Sequence, residues 1–288
     1  MPKLTVNGAT LWYDDQGTGE ETIVFAHGLL WDGRMFEAQV AALSGRYRCI
    51  TFDFRGQGRS EVTRGGYDMD TLADDAAALI DVLQAAPCHF VGLSMGGFIG
   101  MRLAARRPGL VRSLVLMETS ADPEPAESAR RYGMLGGIVR LTGKLGMRLV
   151  MPRVMRIMFG RKFLEDPARE ADRKLWRERG MANHPKGVTR ALKGVIEREP
   201  MHAELGKIRC PTLVMVGDQD VATVPEKAER IRAAIRGARL VIIPGAGHTS
   251  SAEEPAFVNR VLNQFLERLY ATPATSGREH IREQRDSA

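Results

Sequence analysis

One serine of the chain lies in a sequence context that favours nucleophilic catalysis. Ser94 is the middle residue of the run 92–96, which reads Gly-Leu-Ser-Met-Gly. The run follows an apolar stretch typical of a strand and precedes a helical pattern over 97–107. In that context the G-x-S-x-G pattern predicts a sharp strand-to-helix turn that exposes the serine hydroxyl. Gly92 and Gly96 would let the backbone pack closely around this turn without side-chain clashes.

A serine hydroxyl is a poor nucleophile at neutral pH, so it needs a base within hydrogen-bond reach and an acid that orients the base. Among the six histidines, His248 is the candidate base, because it follows the last apolar run by a short glycine-rich loop. Such a loop lies at the carboxyl ends of the strands, where ligands bind in open α/β sheets. His27 directly precedes Gly28 at the end of the third apolar run, and we interpret it as a brace for that loop. Structural or peripheral positions are expected for the other four, which are His89, His184, His202 and His280.

The acid is expected late in the chain, directly after a strand. The run 217–220, Gly-Asp-Gln-Asp, ends the seventh apolar stretch. We choose Asp220 because it lies further into the loop, and we expect Asp218 to fix the turn. Glu118 and Asp122, which follow the sixth apolar run, remain the alternative acids.

Two backbone N–H groups are predicted to stabilise the oxyanion of a tetrahedral intermediate. The first belongs to Met95, the residue after the nucleophile. The second is expected from Leu29, in the loop that contains His27 and Gly28. Losing one such donor costs about 100- to 1,000-fold in rate, so this loop matters as much as the serine's neighbours.

These residues must be positioned by a mostly parallel sheet, because short β-rich runs alternate with helical patterns along the chain. The first two runs flank Asn7-Gly8, a pair typical of a hairpin turn, so one edge of the sheet is predicted to be antiparallel. Pro225 and Pro255 each suit the first turn of a covering helix. The eight predicted strands are 3–6, 10–13, 22–26, 48–52, 89–92, 113–117, 212–216 and 239–243.

The alternation stops between the sixth and seventh strands. Residues 121–205 show only amphipathic helical patterns, punctuated by Pro152, Pro167 and Pro185. We therefore predict an α/β core that comprises 1–120 and 206–270, with a helical cap at 121–205 inserted after the sixth strand. The tail 271–288 is polar without a usable period, which predicts disorder.

The charge of the chain is unevenly distributed. The net charge is +6, yet residues 130–200 alone contain 18 lysines and arginines against 7 aspartates and glutamates. This segment lacks interleaved aromatic residues and any zinc-finger or helix-turn-helix signature, so we expect no nucleic-acid partner. A solvated basic helical face is the favoured interpretation, with attraction of anionic substrates as the alternative.

The cysteines and the hydropathy bear on location. Cys49, Cys88 and Cys210 each adjoin an apolar run, which predicts small buried residues rather than a disulfide framework or a metal site. No stretch reaches about 18 uninterrupted apolar residues, and no charged start is followed by an apolar segment. We therefore expect a cytoplasmic protein with no membrane partner.

Five segments in a fixed order carry a family resemblance. They are His27-Gly28, 53–60, 92–97, 217–220 and 245–248. Together they resemble the α/β-hydrolase superfamily over about residues 4–270. The resemblance implies a catalytic acid at the third position after the glycine, which is Asp220, and it implies no metal or organic cofactor.

Within the superfamily, the elbow and the residues after His248 resemble 3-oxoadipate enol-lactonases and small carboxylesterases. Ser94 departs from haloalkane dehalogenases and epoxide hydrolases, which have Asp at the elbow, whereas Leu93 and Thr249 depart from the meta-cleavage C–C hydrolases. The resemblance implies that Ser94 attacks a small-molecule ester or lactone, with His248 as base. A cofactor-free haloperoxidase or perhydrolase, and a slow-turnover signalling receptor, are the alternatives.

The cap is expected to supply the substrate pocket. The candidates for an apolar wall are Met134, Met147, Met151, Met155, Met158 and Phe159. An oxoadipate-like lactone would also carry a carboxylate. The candidates to meet it are Arg130, Arg131, Arg153 and Arg156.

Overall fold

The computed structural model describes residues 2–270, and the predicted disordered tail, 271–288, lies outside them. Eight strands are present, at the eight predicted places. Their bounds are β1 (Lys3–Val6), β2 (Ala9–Gln16), β3 (Thr22–Ala26), β4 (Arg48–Phe52), β5 (Cys88–Leu93), β6 (Val111–Met117), β7 (Thr212–Gly217) and β8 (Arg239–Ile243). The largest difference from the predicted bounds is in β2, whose polar end continues because it pairs with β4.

The strands form one sheet in the order β1-β2-β4-β3-β5-β6-β7-β8. The pairs β1–β2 and β2–β4 are antiparallel, and all other neighbours are parallel. The predicted mostly parallel sheet with an antiparallel edge is therefore confirmed. Since β3 and β5 lie side by side in the middle, their carboxyl ends bring the loop after His27 next to the turn at Ser94.

Helices cover the sheet and fill the region between β6 and β7. Those of the sheet are α1 (Glu37–Leu43), α2 (Met69–Val82), α3 (Met95–Arg106), α10 (Pro225–Ala234), α11 (Ser250–Glu253) and α12 (Pro255–Tyr270). Those between β6 and β7 are α4 (Ala126–Thr142), α5 (Lys144–Met158), α6 (Arg161–Glu165), α7 (Glu170–Ala182), α8 (Pro185–Ile196) and α9 (His202–Leu205). Pro225 and Pro255 begin helices as predicted, whereas Pro152 lies inside α5 without ending it. Pro152 has no N–H to donate to the carbonyl four residues earlier in the helix. Because Pro152 is exposed, that carbonyl can bind water instead.

The sheet separates two hydrophobic layers, because successive side chains of a strand point to opposite faces. In β3, Val24 and Ala26 join one layer with α2 and α3, while Ile23 and Phe25 join the other with α1 and α12. The second layer also includes Met147 and other inward residues of α5. The helices between β6 and β7 therefore share a core with the sheet.

Within residues 2–270, no helix combines the length and the apolar character needed to cross a bilayer. The three cysteines are free thiols; Cys49 and Cys88 are buried, and Cys210 is half-buried.

Candidate active site

Ser94 lies on the predicted turn between β5 and α3. Its φ of 52° and ψ of −109° fall outside the common regions for a residue with a side chain. Such strain persists only where the surroundings hold it in place. Here Gly96 is the tightest constraint: a Cβ at that position would overlap the carbonyl group of Ala26 on β3. The turn therefore needs glycine, and it directs the serine hydroxyl away from the sheet.

Three side chains form a continuous hydrogen-bonded series at this turn. His248 Nε2 lies 2.9 Å from Ser94 Oγ, and His248 Nδ1 lies 2.8 Å from Asp220 Oδ2. All three residues are buried. A carboxylate at Nδ1 holds a proton on that nitrogen and leaves Nε2 free to accept the serine proton. The arrangement has the geometry required for general-base activation of Ser94.

Asp220 is held in its ionised form by its neighbours. The backbone N–H groups of Ala222 and Thr223 donate to Asp220 Oδ1 at 2.8 and 3.0 Å, and the Thr223 hydroxyl donates to Oδ2 at 2.7 Å. Burial by itself raises the pKa of Asp220, but the charge of His248 and these donors outweigh it, so the net pKa is lowered. The carboxylate can therefore stabilise an imidazolium.

The other carboxylates occupy different environments. Asp218 is exposed and accepts a hydrogen bond from the N–H of Gly245 at 2.8 Å, so it joins the two loops after β7 and β8. Asp122 is paired with His202 and Arg230 at the surface, both at 2.5 Å. Neither carboxylate has His248 as its partner in these contacts.

Glu118 is fully buried at the end of β6, close to the series. Burial and the nearby charge of Asp220 raise its pKa well above the ordinary value. A carboxyl group held neutral in this way is a weak partner for an imidazolium. Of the two alternative acids, only Glu118 is near the site, and its environment favours the protonated form.

Glu253 organises the loop of His248. Its Oε2 accepts from the N–H groups of Gly160 and Gly247 at 2.7 and 3.0 Å, and its Oε1 accepts from Thr249 N–H at 3.0 Å. The carboxylate thus holds both residues that flank His248 and links them to the segment after α5. Glu253 was not predicted from the sequence, because no local pattern marks a carboxylate that binds only backbone groups.

His27 connects the loop after β3 to the segment after β4 through its two ring nitrogens. The N–H of Phe54 donates to His27 Nε2 at 3.0 Å, which leaves His27 Nδ1 to donate to Gly28 O at 2.7 Å. Burial lowers the pKa of His27, so the ring is neutral and this tautomer is retained. The loop itself, residues 27–31, is called the oxyanion loop below.

The two predicted oxyanion donors come from different segments, the start of α3 and the loop after β3. Met95 is the first residue of α3, and the first N–H groups of a helix have no intrahelical acceptor. Leu29, in the oxyanion loop, lines the same cavity as Ser94 and His248. In a tetrahedral intermediate, the carbon bonded to Ser94 Oγ carries a negatively charged oxygen. Both backbone positions suit N–H donors to that oxygen.

Two side chains that the sequence analysis missed hold the oxyanion loop. Leu30 has a φ of 76°, and its N–H donates to Gln57 Oε1 at 2.6 Å. Asn183 Nδ2 donates to Leu30 O at 2.8 Å, while Asn183 Oδ1 accepts from Gly58 N–H at 2.8 Å. Gln57 and Asn183 therefore fix both backbone groups of Leu30, the residue next to Leu29.

Replacing Gln57 by alanine is expected to lower kcat for ester hydrolysis by about 10- to 100-fold, less than the roughly 100- to 1,000-fold for loss of an oxyanion donor, because the donor is misdirected but still present. The N–H of Leu30 would lose its acceptor, and the N–H of Leu29 would lose its fixed direction. KM should change much less, because Gln57 does not line the cavity. Steady-state kinetics on a soluble ester measures both constants.

Gln39→Ala is the matched control for this prediction. Gln39 is equally buried, and its Nε2 donates to Ser251 O and Asn259 Oδ1 at 3.1 and 3.0 Å, away from the oxyanion loop. Both variants should lose thermal stability, but only Gln57→Ala should lose kcat. An equal loss of kcat in the two would mean that Gln57 acts only through stability.

A cavity of about 150 Å³ opens beside Ser94 and His248. A cavity of this order accepts a group the size of benzene. Its wall is largely apolar and comes from α4, α5 and α8. The lining residues of those helices include Leu135, Val139, Met147, Val150, Met151, Val154, Met158, Val188 and Leu192.

The predicted apolar wall is right for three of its six residues. Met147, Met151 and Met158 line the cavity. The prediction is wrong for Met155 and Phe159, which are buried in packing behind it; the Phe159 ring stacks on Phe163 at 4.5 Å. It is also wrong for Met134, which is 66% exposed because it lies on the outer face of α4.

The predicted arginine contact with a substrate carboxylate is wrong for this cavity. Arg130, Arg153 and Arg156 are exposed and Arg131 is half-buried, and the described lining contains no lysine or arginine. The helical period that turns apolar residues inward turns these arginines outward. The charged residue that does line the cavity is Glu124, which is paired with Arg198 at 2.7 Å.

Among residues 2–270, no group of three or more His, Cys, Asp or Glu side chains is arranged to hold a metal ion.

Comparison with known proteins gives concordant results. The family model described as alpha/beta hydrolase fold matches residues 21–255. The enol-lactonase from Burkholderia xenovorans LB400 superposes with a TM-score of 0.85 at 29% identity, over 92% of this chain and 100% of that one. A thermophilic esterase from Thermogutta terrifontis gives 0.85 at 28% identity, over 93% and 99%. A bromoperoxidase from Bacillus anthracis gives 0.80 at 25% identity, over 90% and 96%.

Proposed function

The chain belongs to the α/β-hydrolase superfamily, and on this premise we propose that it is a serine hydrolase of carboxylic esters or lactones. The observation that carries the proposal is the series Asp220–His248–Ser94, whose hydroxyl end opens into an apolar cavity. The similarity to an enol-lactonase and an esterase supports the same chemistry.

The proposed reaction consists of two acyl transfers. Ser94 Oγ attacks the carbonyl carbon while His248 Nε2 takes its proton, and the oxyanion accepts hydrogen bonds from the N–H groups of Leu29 and Met95. The ester C–O bond then breaks, and the alcohol oxygen leaves with the proton from His248. Water, deprotonated by His248, then attacks the acyl carbon, the bond from that carbon to Ser94 Oγ breaks, and Oγ takes the proton back from His248 as the acid is released.

The cavity supports an uncharged, apolar acyl group as the preferred substrate. The described lining offers dispersion contacts and no lysine or arginine, and its carboxylate, Glu124, is already paired with Arg198. We therefore expect kcat/KM for p-nitrophenyl esters to rise with acyl length until the cavity is filled. A hemi-ester of a dicarboxylic acid should react at least about ten-fold more slowly than the uncharged ester of equal length, because its charge would be buried unpaired.

Leu192→Trp tests this assignment, because it fills the cavity from α8. It should move the optimum toward shorter acyl groups and leave acetate esters largely unaffected. Leu175→Trp is the control, since Leu175 is an exposed residue of α7 outside the cavity lining. A length optimum that Leu192→Trp does not move, or a preference for the charged hemi-ester, would contradict the assignment.

The similarity to a bromoperoxidase favours perhydrolysis as a second candidate activity. The same acyl-enzyme would be attacked by hydrogen peroxide instead of water, releasing a peroxyacid that oxidises bromide in solution. Bromination of a dye with acetate and peroxide, measured beside ester hydrolysis, separates the two. Bromination without turnover of any ester in the series would replace the hydrolase proposal by this one.

A further inference from the structure

The outer face of the helical hairpin α4–α5 exposes an apolar stripe. It consists of Met134, Ile138, Leu141, Leu145 and Leu149, which we call the outer stripe. Their side chains are between 41% and 82% exposed, and they supply five of the ten exposed large hydrophobic residues in the described part of the chain. Contiguous apolar patches of this kind mark contact sites on soluble proteins.

The inner faces of the same helices already have a partner. Leu135 and Val139 of α4, with Val150 and Val154 of α5, line the cavity beside Ser94. The outer stripe is therefore not needed to close the cavity or to complete the core. A hairpin with apolar residues on both faces requires a second explanation for the outward ones.

The charges of α4 and α5 beside the outer stripe are positive apart from Glu127, in the first turn of α4. The sequence contains no aspartate or glutamate between residues 128 and 164, where nine lysines and arginines occur. Arg130, Arg140, Arg148, Arg153 and Arg156 of this segment are all exposed. The surface around the outer stripe is consequently both apolar and cationic.

We propose that the outer stripe and its flanking arginines dock this protein on an anionic lipid surface. The leucines would enter the boundary between headgroups and acyl chains, as the apolar face of an interfacial helix does. The arginines would lie at the level of the phosphates, each contributing electrostatic attraction to anionic lipid. This proposal departs from the sequence-based expectation that no membrane partner exists, because exposure of the leucines is a property of the folded hairpin.

Two other occupants fit the outer stripe less well. A second copy would meet it around a two-fold axis, which places the arginines of one copy against those of the other. The sequence of the tail 271–288 has Ile281 as its one large apolar residue and equal numbers of acidic and basic residues. It therefore complements neither the apolar residues nor the positive charge of the outer stripe and its flanking arginines.

Vesicle flotation with the full-length chain tests the proposal. Vesicles of phosphatidylcholine alone are compared with vesicles that contain about one third phosphatidylglycerol, which supplies the anionic surface. Wild type should float with the anionic vesicles and much less with the neutral ones. Leu141→Ser/Leu145→Ser should lower the anionic partition coefficient at least about ten-fold, and Arg148→Gln/Arg153→Gln about five-fold per arginine.

Matched controls remove the same residue types elsewhere. Val82→Ser/Leu175→Ser changes two exposed apolar residues, and Arg232→Gln/Arg236→Gln changes two exposed arginines of α10 and its following turn. Both should bind vesicles like wild type. Hydrolysis of a short soluble ester and the melting temperature should stay near wild type in all four variants.

Three results would overturn the proposal. The first is equal partition of wild type into neutral and anionic vesicles, or into neither. The second is unchanged binding by Leu141→Ser/Leu145→Ser. The third is a dimer in light scattering that this variant converts to a monomer, because a second copy would then cover the outer stripe.

Discussion

Replacing Ser94 by alanine is expected to lower kcat for ester hydrolysis by about a million-fold, the loss measured when the nucleophile of a comparable triad is removed. The reason is that Ser94 Oγ is the hydroxyl that lies within hydrogen-bond distance of His248 Nε2. His248 would keep its contact with Asp220 but have no hydroxyl to deprotonate. Hydrogen-bond donors and the cavity wall would remain, so a small residual rate above that of water is expected.

Steady-state assay and covalent labelling measure this prediction together. A fluorophosphonate should add its phosphonyl group to wild type in intact-mass spectra and leave Ser94→Ala unmodified. Ser44→Ala, at the end of α1, is the control and should be labelled like wild type. The melting temperature of Ser94→Ala should not fall, because the hydroxyl lies at a strained turn facing the cavity.

The same experiment separates an enzyme from a receptor that keeps the site for binding. Wild-type turnover within the usual enzymatic range of about 1 to 1,000 per second supports the hydrolase proposal. Stoichiometric labelling of Ser94 with turnover far below that range would favour the receptor alternative. If Ser94→Ala retained more than a few per cent of kcat, Ser94 would not be the nucleophile.

The fold was largely predictable because its strongest signals are local. Parallel strands buried on both faces read as short apolar runs, and β5 and β7 are fully buried throughout. The turn at Ser94 is marked by glycines that are its neighbours in sequence. Loops after β7 and β8 then place Asp220 and His248 without further information, since the carboxyl ends of adjacent strands meet at one edge.

The cavity wall was less predictable, because α4 and α5 carry apolar residues on two faces. Period alone cannot tell Met134, which is exposed, from Met147, which lines the cavity. The arginine candidates had a different origin, the carboxylate of an oxoadipate-like lactone, and the described lining contains none of them. The leucines of the outer stripe show why the spacing misleads: they repeat at the same helical spacing as core residues but are exposed.

Glu253, Gln57 and Asn183 escaped prediction for another reason. Each binds backbone groups of segments distant in sequence; Asn183 and Leu30, for example, are 153 residues apart. Such contacts depend on the assembled fold: even Gln57, which lies in the family segment 53–60, has no local feature that predicts its bond to Leu30. These contacts also fix the loops that carry the reactive groups. The residues that were hardest to predict therefore position those that were easiest to predict.

Asp220→Asn is expected to lower kcat by about ten-thousand-fold while leaving the fold intact, as loss of the orienting carboxylate does in a comparable triad. The amide N–H at this position donates a hydrogen bond to His248 Nδ1, whereas the carboxylate accepts one from it. The ring is then forced to hold its proton on Nε2, which faces Ser94 Oγ at 2.9 Å and can no longer accept from it. KM should change little, because Asp220 does not line the cavity.

Glu118→Gln tests whether Glu118, and not Asp220, is the acid that orients His248. Burial and the charge of Asp220 raise the pKa of Glu118 well above its ordinary value, which favours the protonated carboxyl group, so we expect an amide of the same shape to replace it with little change in charge. We expect kcat of Glu118→Gln to stay within about ten-fold of wild type, and that of the exposed Asp218→Asn to stay closer still. If Glu118→Gln lost activity and Asp220→Asn kept it, the acid would lie at the end of β6. A large loss in both would mean that the two carboxyls share the role, because each is close enough to alter the charge of the other.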